Sequence, residues 1–234
     1  MAKESADAAI LNEQIAYYRA RATEYDEWFL RQGRYDRGPE LNAQWFADVA
    51  QVRGALAAFA PRGDVLEFAC GTGLWTQELV KTARTVTAVD ASPEVIAINR
   101  ERLGNANVRH IEADILSWRP DRLYDTVFFS FWLSHVPPDR FDGFWETARA
   151  SLRPGGRVFL IDSQYEETST ATDHTLEGAD AATITRRLND GREFRIVKVF
   201  YRPETLTQKL TSLGWHEVGI RNTERYFLYG EASR

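Results

Sequence analysis

The sequence predicts a doubly wound α/β fold: a mainly parallel sheet with helices on both faces, finished by antiparallel strands and preceded by a helical segment able to close over one sheet edge. Three observations predict it. Short apolar runs alternate with helical stretches between residues 64 and 162. The first run ends in a glycine-punctuated turn. Beyond residue 183 the rhythm changes to strand pairs joined by a hairpin signal.

Residues 1–59 are expected to form the N-terminal helical part. Its stretch "IAYYRARATEYDEWFLRQGRY" is dense in aromatics and arginines, and reads either as a solvated helix with one packed face or as a lid over the glycine turn. Leu41, Trp45, Phe46, Val49, Leu56 and Phe59 recur at helical spacing and are expected to pack onto the sheet. Then "DVLEF" reads as a buried strand, with Gly71 and Gly73 shaping the turn that leads into a helix over 73–81. "TVTAVD" follows as the second strand. Ser92-Pro93-Glu94 opens a helix over 93–102: a cap, a proline at the first helical position and an acid at the positive end of the dipole. "NVRHIEAD", "YDTVFFS" and "GRVFLID" complete the parallel strands, with a helix over 138–152.

The polar stretch 165–183 is expected to be a mobile insertion. "TITRRL" and "REFRIVKVFY" flank Asn189-Asp190-Gly191 as a hairpin; a helix over 203–213 and the strands "HEVGIR" and "ERYFLYG" follow. The expectation is one domain over 1–234, with a ligand-binding core at 60–162 and the insertion and C-terminal strands at 163–234.

The 234 residues are 44% hydrophobic, enough for one substantial core. A net charge of −5 disfavours broad attraction to nucleic-acid backbones and makes a polyphosphate a poor first choice of ligand. Cys70 is the single cysteine, so no intramolecular disulfide forms, and it reads as a small buried side chain of the turn. The opening "MAKESADAAI" lacks the marks of a signal peptide, and no run reaches the ~18 apolar residues of a membrane span. A cytoplasmic protein without a membrane partner is the expectation. The four histidines show no metal-ligand spacing, so no metal is expected.

Asp90 closes the second strand seventeen positions after Gly73, near the offset at which a carboxylate meets ribose hydroxyls in dinucleotide-binding folds. Asp114 closes the third strand on the same edge, where it can read an adenine, and Ala91 and Ile115 can supply apolar surface to the ring faces.

With these residues in place, the chain resembles the class I S-adenosylmethionine-dependent methyltransferases over about residues 60–162. "VLEFACGTG", "VTAVDAS", "IEADIL", "YDTVFFSFWLSHV" and "LRPGGRVFLID" look like that family's successive motifs, with Ala69 standing where the common pattern has its first glycine. The resemblance implies a Rossmann-like, seven-stranded sheet and S-adenosylmethionine as cofactor, with S-adenosylhomocysteine as product. It implies that Gly71 and Gly73 approach the cofactor, that Glu67 supports its ammonium end, and that Ser130 lies beside it.

The implied reaction is methyl transfer to a small acceptor, with an aromatic or heterocyclic metabolite in view and O, N, S or C acceptor atoms all open. Tyr18 and Tyr25 are candidate hydroxyl-bearing lid contacts to the cofactor; Trp28, Trp75, Phe131 and Trp132 are candidate walls of the acceptor site. His135, just past the fourth strand, is the candidate general base, with loop ordering as the alternative. The competing readings are a macromolecular methyltransferase and a noncatalytic S-adenosylmethionine-binding module. A nicotinamide oxidoreductase is disfavoured by the missing last glycine of the dinucleotide pattern. Oligomeric state stays open.

Overall fold

Strand β1 (Asp64–Phe68) is buried along its whole length at the centre of the sheet. The computed structural model describes residues 2–179 and 181–234, with side chains from Ala8 onward. β1 pairs in parallel with β2 (Thr85–Asp90) on one side and β4 (Tyr124–Ser130) on the other. β3 (Val108–Glu112) extends the first side and β5 (Leu152–Ser163) the second, also in parallel. β9 (Phe227–Ser233) and β8 (His216–Asn222) finish the sheet antiparallel. The order β3-β2-β1-β4-β5-β9-β8 is the expected seven-stranded sheet. It reverses direction between β1 and β4, and the crevice beyond the carboxyl ends of strands at such a switch point is where ligands bind.

Alternation along the strands divides the core. Leu66, Phe68, Val127 and Phe129 face α6 (Phe141–Ser151) and α7 (Pro203–Ser212), while Val65, Phe128, Phe159 and Ile161 face α3 (Pro39–Phe59). On α3, Trp45, Val49, Val52, Leu56 and Phe59 are buried as their spacing requires, whereas Phe46 points outward and is 45% exposed. α5 (Pro93–Leu103) begins as expected: Ser92 Oγ accepts from Val95 N at 3.3 Å, with Pro93 in the first turn.

Two of the boundaries that differ from expectation have a clear cause. The helix after the glycine turn is reduced to α4 (Thr76–Leu79), because Gly73 keeps a φ of +91° and the turn continues to Trp75. β9 starts at Phe227 rather than at Glu224. Asp48 of α3, fully buried, accepts from Thr223 Oγ1 (2.6 Å), Arg225 N (3.0 Å) and Tyr226 N (2.8 Å), holding 223–226 as a turn.

The hairpin β6 (Thr183–Arg187)–β7 (Glu193–Val197) forms around Asn189-Asp190-Gly191, but as a separate two-stranded sheet. It packs against α1 (Ala2–Ala20), where Tyr17 meets Ile184, Leu188 and Ile196. The first half of the polar stretch, expected to be mobile, is instead fastened to the N-terminal region. Arg31 donates to Thr168 O (2.8 Å), Arg37 to Thr170 O and Ala171 O (both 3.0 Å), and Thr172 N to Arg34 O (2.8 Å). Arg31 and Arg37 thus serve as donors to main-chain carbonyls. Among the described residues no helix is long and apolar enough to cross a membrane.

Candidate active site

Strand ends build the first part of the site. Asp90, at the end of β2, accepts from Gly71 N and Ser92 N at 3.0 Å, one on each carboxylate oxygen. Burial pushes its carboxyl up against the backbone N–H groups that favour the ionised form. Each oxygen keeps a lone pair, so the group can still accept two further hydrogen bonds, the number a ribose diol offers. Asp90 lines a cavity of about 230 Å³ together with Gly71, Ala91, Asp114, Ile115 and Ser130. Asp114 is exposed, and one of its oxygens accepts from Leu116 N at 3.1 Å. Gly71 has a φ of +51°, a conformation glycine adopts without strain, and its N–H is thereby turned onto Asp90. The polar donors and acceptors, the small residues at the turn and the apolar walls fit an adenosine-bearing cofactor.

The N-terminal region roofs this cavity. Leu11, Gln14, Ile15 and Tyr18 of α1 line it from above, and Tyr25, which begins α2 (Tyr25–Phe29), lies 3.9 Å from where a Cβ on Gly71 would sit. Thr72 Oγ1 donates to Asp26 at 2.6 Å, and Arg102 bridges the same carboxylate to Thr72 O. The segment thus lies over the cavity beside the glycine turn.

A second, smaller cavity of about 60 Å³ adjoins the first and shares with it Tyr18, Tyr25, Phe131 and His135. A one-turn helix at Leu133–His135, just past β4, buries His135 between two partners. Its Nδ1 lies 2.7 Å from Val197 O and its Nε2 lies 2.8 Å from Tyr18 Oη. A carbonyl only accepts, so Nδ1 carries the proton and Nε2 accepts from the tyrosine hydroxyl. Burial, with the Lys198 cation next in effect, holds the imidazole well below its ordinary pKa. Burial likewise raises the Tyr18 hydroxyl well above its own.

The remaining wall is cationic. Arg21, Arg186 and Lys198 line the smaller cavity, from the turn between α1 and α2, from β6 and from the segment after β7. Lys198 Nζ donates to Ser134 Oγ (2.9 Å) and lies 3.7 Å from Asp162. Its burial lowers it to about 8. None of these three stood out in the sequence; the one available signal was Lys198, a lone charge in the apolar run "IVKVFY".

The other expected site residues divide by position. Trp28 and Phe131 line the smaller cavity, and Trp28 Nε1 donates to Ser169 O at 2.8 Å. Trp132 lines the larger cavity instead. Gly73 serves packing: a Cβ there would lie 3.0 Å from Asn99 and Leu103 of α5. Trp75 is buried against Phe29 and Phe128 and lines neither cavity. Glu67 points from β1 to the α4 side, where it bonds Thr76, and burial raises it to about 8. It too lines neither cavity. Among the described residues no group of three or more His, Cys, Asp or Glu side chains is placed to hold a metal ion.

Comparison with known proteins agrees with this geometry. A family profile described as a methyltransferase domain matches residues 65–156. An uncharacterized methyltransferase of Bacillus mycoides (strain KBAB4) is 30% identical over 168 residues, spanning 71% of this chain and 77% of that protein. The structure of the DhpI–SAH complex superposes with a TM-score of 0.75 at 40% identity, covering 95% of this chain and 96% of DhpI. The DhpI–SAM–HEP complex does so with a TM-score of 0.77 at 41% identity, covering 96% and 97%. The cofactor is therefore S-adenosylmethionine, and the chain belongs to the class I S-adenosylmethionine-dependent methyltransferases.

Proposed function

We propose that the larger cavity holds S-adenosylmethionine and the smaller one a small-molecule methyl acceptor. The observation that carries this reading is the shared border: Tyr18, Tyr25, Phe131 and His135 line both cavities, which therefore adjoin, as direct contact between the sulfonium methyl and the acceptor atom requires. DhpI, which has been captured with SAM and HEP together, supports a second component beside the cofactor. The smaller cavity is bounded by side chains of the roof and the hairpin, which favours a small-molecule acceptor over a macromolecular chain.

The cofactor supplies a sulfonium methyl that is already activated. What the chain adds is placement and the exclusion of water by the α1–α2 roof. Asp90 holds the ribose, with Asp114, Ala91 and Ile115 at the adenine and Ser130 and Gly71 beside the remainder. His135 is better suited to hold Tyr18 in place than to take a proton. Burial and three neighbouring cations oppose a charged imidazole, and both of its nitrogens already have partners.

Two measurements test the reading. Asp90→Ala should weaken S-adenosylhomocysteine binding by about 1.5–3 kcal/mol, tenfold to over a hundredfold, in calorimetry. Unchanged affinity in a folded variant removes the ribose assignment. For His135→Ala, a positioning role gives the same loss of turnover for acceptors that carry a proton and for those already deprotonated. A base would instead show a loss of about 10²–10⁴ that deprotonated acceptors restore.

A further inference from the structure

We propose that the methyl acceptor carries an oxyacid group (a carboxylate, sulfonate or phosphate-type anion), bound in the smaller cavity by Arg21, Arg186 and Lys198. The inference rests on the two-cavity reading above and names its substrate class. Three cations from three separate chain segments converge on this small space, and the charge they bring is not matched around it. Among the described residues neither Arg21 nor Arg186 has a carboxylate within ion-pairing distance; Lys198 has Asp162 at 3.7 Å, and Asp173, beside His174, is paired with Arg34 at 3.2 Å. Asp162 is itself engaged by the backbone N–H groups of Ser134 (2.8 Å) and Ser163 (2.7 Å).

Neutral partners account for only part of the donor capacity. Arg21 is 9% exposed, and its single hydrogen bond reaches Tyr35 Oη at 3.4 Å; its buried Nε has no partner. The guanidinium lies over the Tyr25 ring at 4.9 Å, which eases its burial without using its N–H donors. Arg186 donates to His174 Nδ1 at 3.2 Å. His174 adds no positive charge, since burial and Arg186 lower it to about 4. Buried cations without counter-charge are costly, and a bound anion removes that cost while accepting the open N–H groups. The same field repels a cationic acceptor, and a neutral one leaves the donors unanswered.

The cofactor's own carboxylate is the competing occupant, so the experiment is run on protein saturated with S-adenosylhomocysteine, whose binding is first established by calorimetry. Acetate, methanesulfonate and inorganic phosphate are titrated into that complex, with acetamide as the uncharged control. At least one anion should bind saturably at one per chain while acetamide does not. Arg186→Gln should weaken that anion about tenfold or more and leave S-adenosylhomocysteine affinity nearly unchanged. Anions that fail to bind the saturated complex, compete with S-adenosylhomocysteine, or bind the folded variant as well as the wild type overturn the proposal. If S-adenosylhomocysteine itself does not bind, the two-cavity reading fails first, and the proposal with it.

A second arm needs no variant. Metabolite mixtures separated by charge are incubated with wild-type protein and S-adenosylmethionine carrying a heavy methyl. Label in the anionic pool, with loss of one negative charge if the oxyanion itself is methylated, supports the assignment. Label confined to acceptors that carry no oxyacid group, zwitterions being counted as carrying one, overturns it and leaves methyl transfer standing.

Discussion

Ala69 closes β1 with a φ of +53°, in the left-handed region where a Cβ is strained. That torsion explains why the family pattern has glycine there. Ala69→Gly should stabilise the protein by about 0.5–1 kcal/mol in urea unfolding, the left-handed strain less glycine's extra chain entropy. Equal or lower stability would show that the strain is relieved some other way. Glu67, two residues earlier, invites a different test. Its burial lifts it to about 8, with Asp90 pushing the same way and the Thr76 bond opposing. Between the ordinary carboxylate range and about pH 8 the folded state keeps a proton that the unfolded chain has released, so this contribution to stability is lost as pH rises. Glu67→Gln stays neutral throughout; its Tm should match wild type near pH 5 and exceed it near pH 9. A constant Tm difference would remove the buried-acid assignment. At this scale Asp90, Ala91, Asp114, Ile115 and Ser130 were legible, because strand ends announce themselves in the sequence. Arg21, Arg186 and Lys198 were not: they converge only through tertiary packing, and a chain-wide charge of −5 conceals a local excess of cations.

Gln14 shows how whole elements are coupled. From α1 its Nε2 donates to His135 O (3.1 Å) and its Oε1 accepts from Val197 N (3.0 Å), tying the roof to the turn after β4 and to the hairpin. Gln14→Ala strands two buried backbone groups, at a cost of about 1–3 kcal/mol each. Gln14 also lines the larger cavity, so some cofactor affinity goes with it, but anion affinity in the S-adenosylhomocysteine complex should fall more, because the hairpin carries Arg186. Equal losses in both would make Gln14 a general stabilising residue. The strands of the main sheet were readable from apolar runs bounded by turn residues, and the hairpin from Asn189-Asp190-Gly191. The stunted α4 and the late start of β9 were not readable. Each depends on a tertiary partner: α5 packed against Gly73, and Asp48 collecting the donors of 223–226.

At the scale of the molecule, the roof is latched at several points. Asp26, Thr72 and Arg102 hold it to the glycine turn, Arg19 pairs with Glu112 at 3.3 Å, and Glu24 accepts from Asn189 N at 2.9 Å. The Arg19 and Glu24 contacts are exposed and individually weak, while Asp26, Thr72 and Arg102 are partly buried, so the roof is held closed and a ligand beneath adds to closure. Hydrogen exchange over residues 8–30 should slow on adding S-adenosylhomocysteine, and slow further with a bound anion. Identical exchange with and without ligands would rule out a roof that opens. The β6–β7 ladder has a further consequence. Its two strands form a sheet of their own, outside the seven-stranded one and tied to the rest through Gln14 and His135 at Val197, yet they and the residue that follows them carry Arg186, Ile196 and Lys198 into the smaller cavity. Mutations there can accumulate without shifting a single rung beneath the cofactor, so over evolutionary time such a lineage can exchange one acceptor for another while inheriting its methyl-donor chemistry intact.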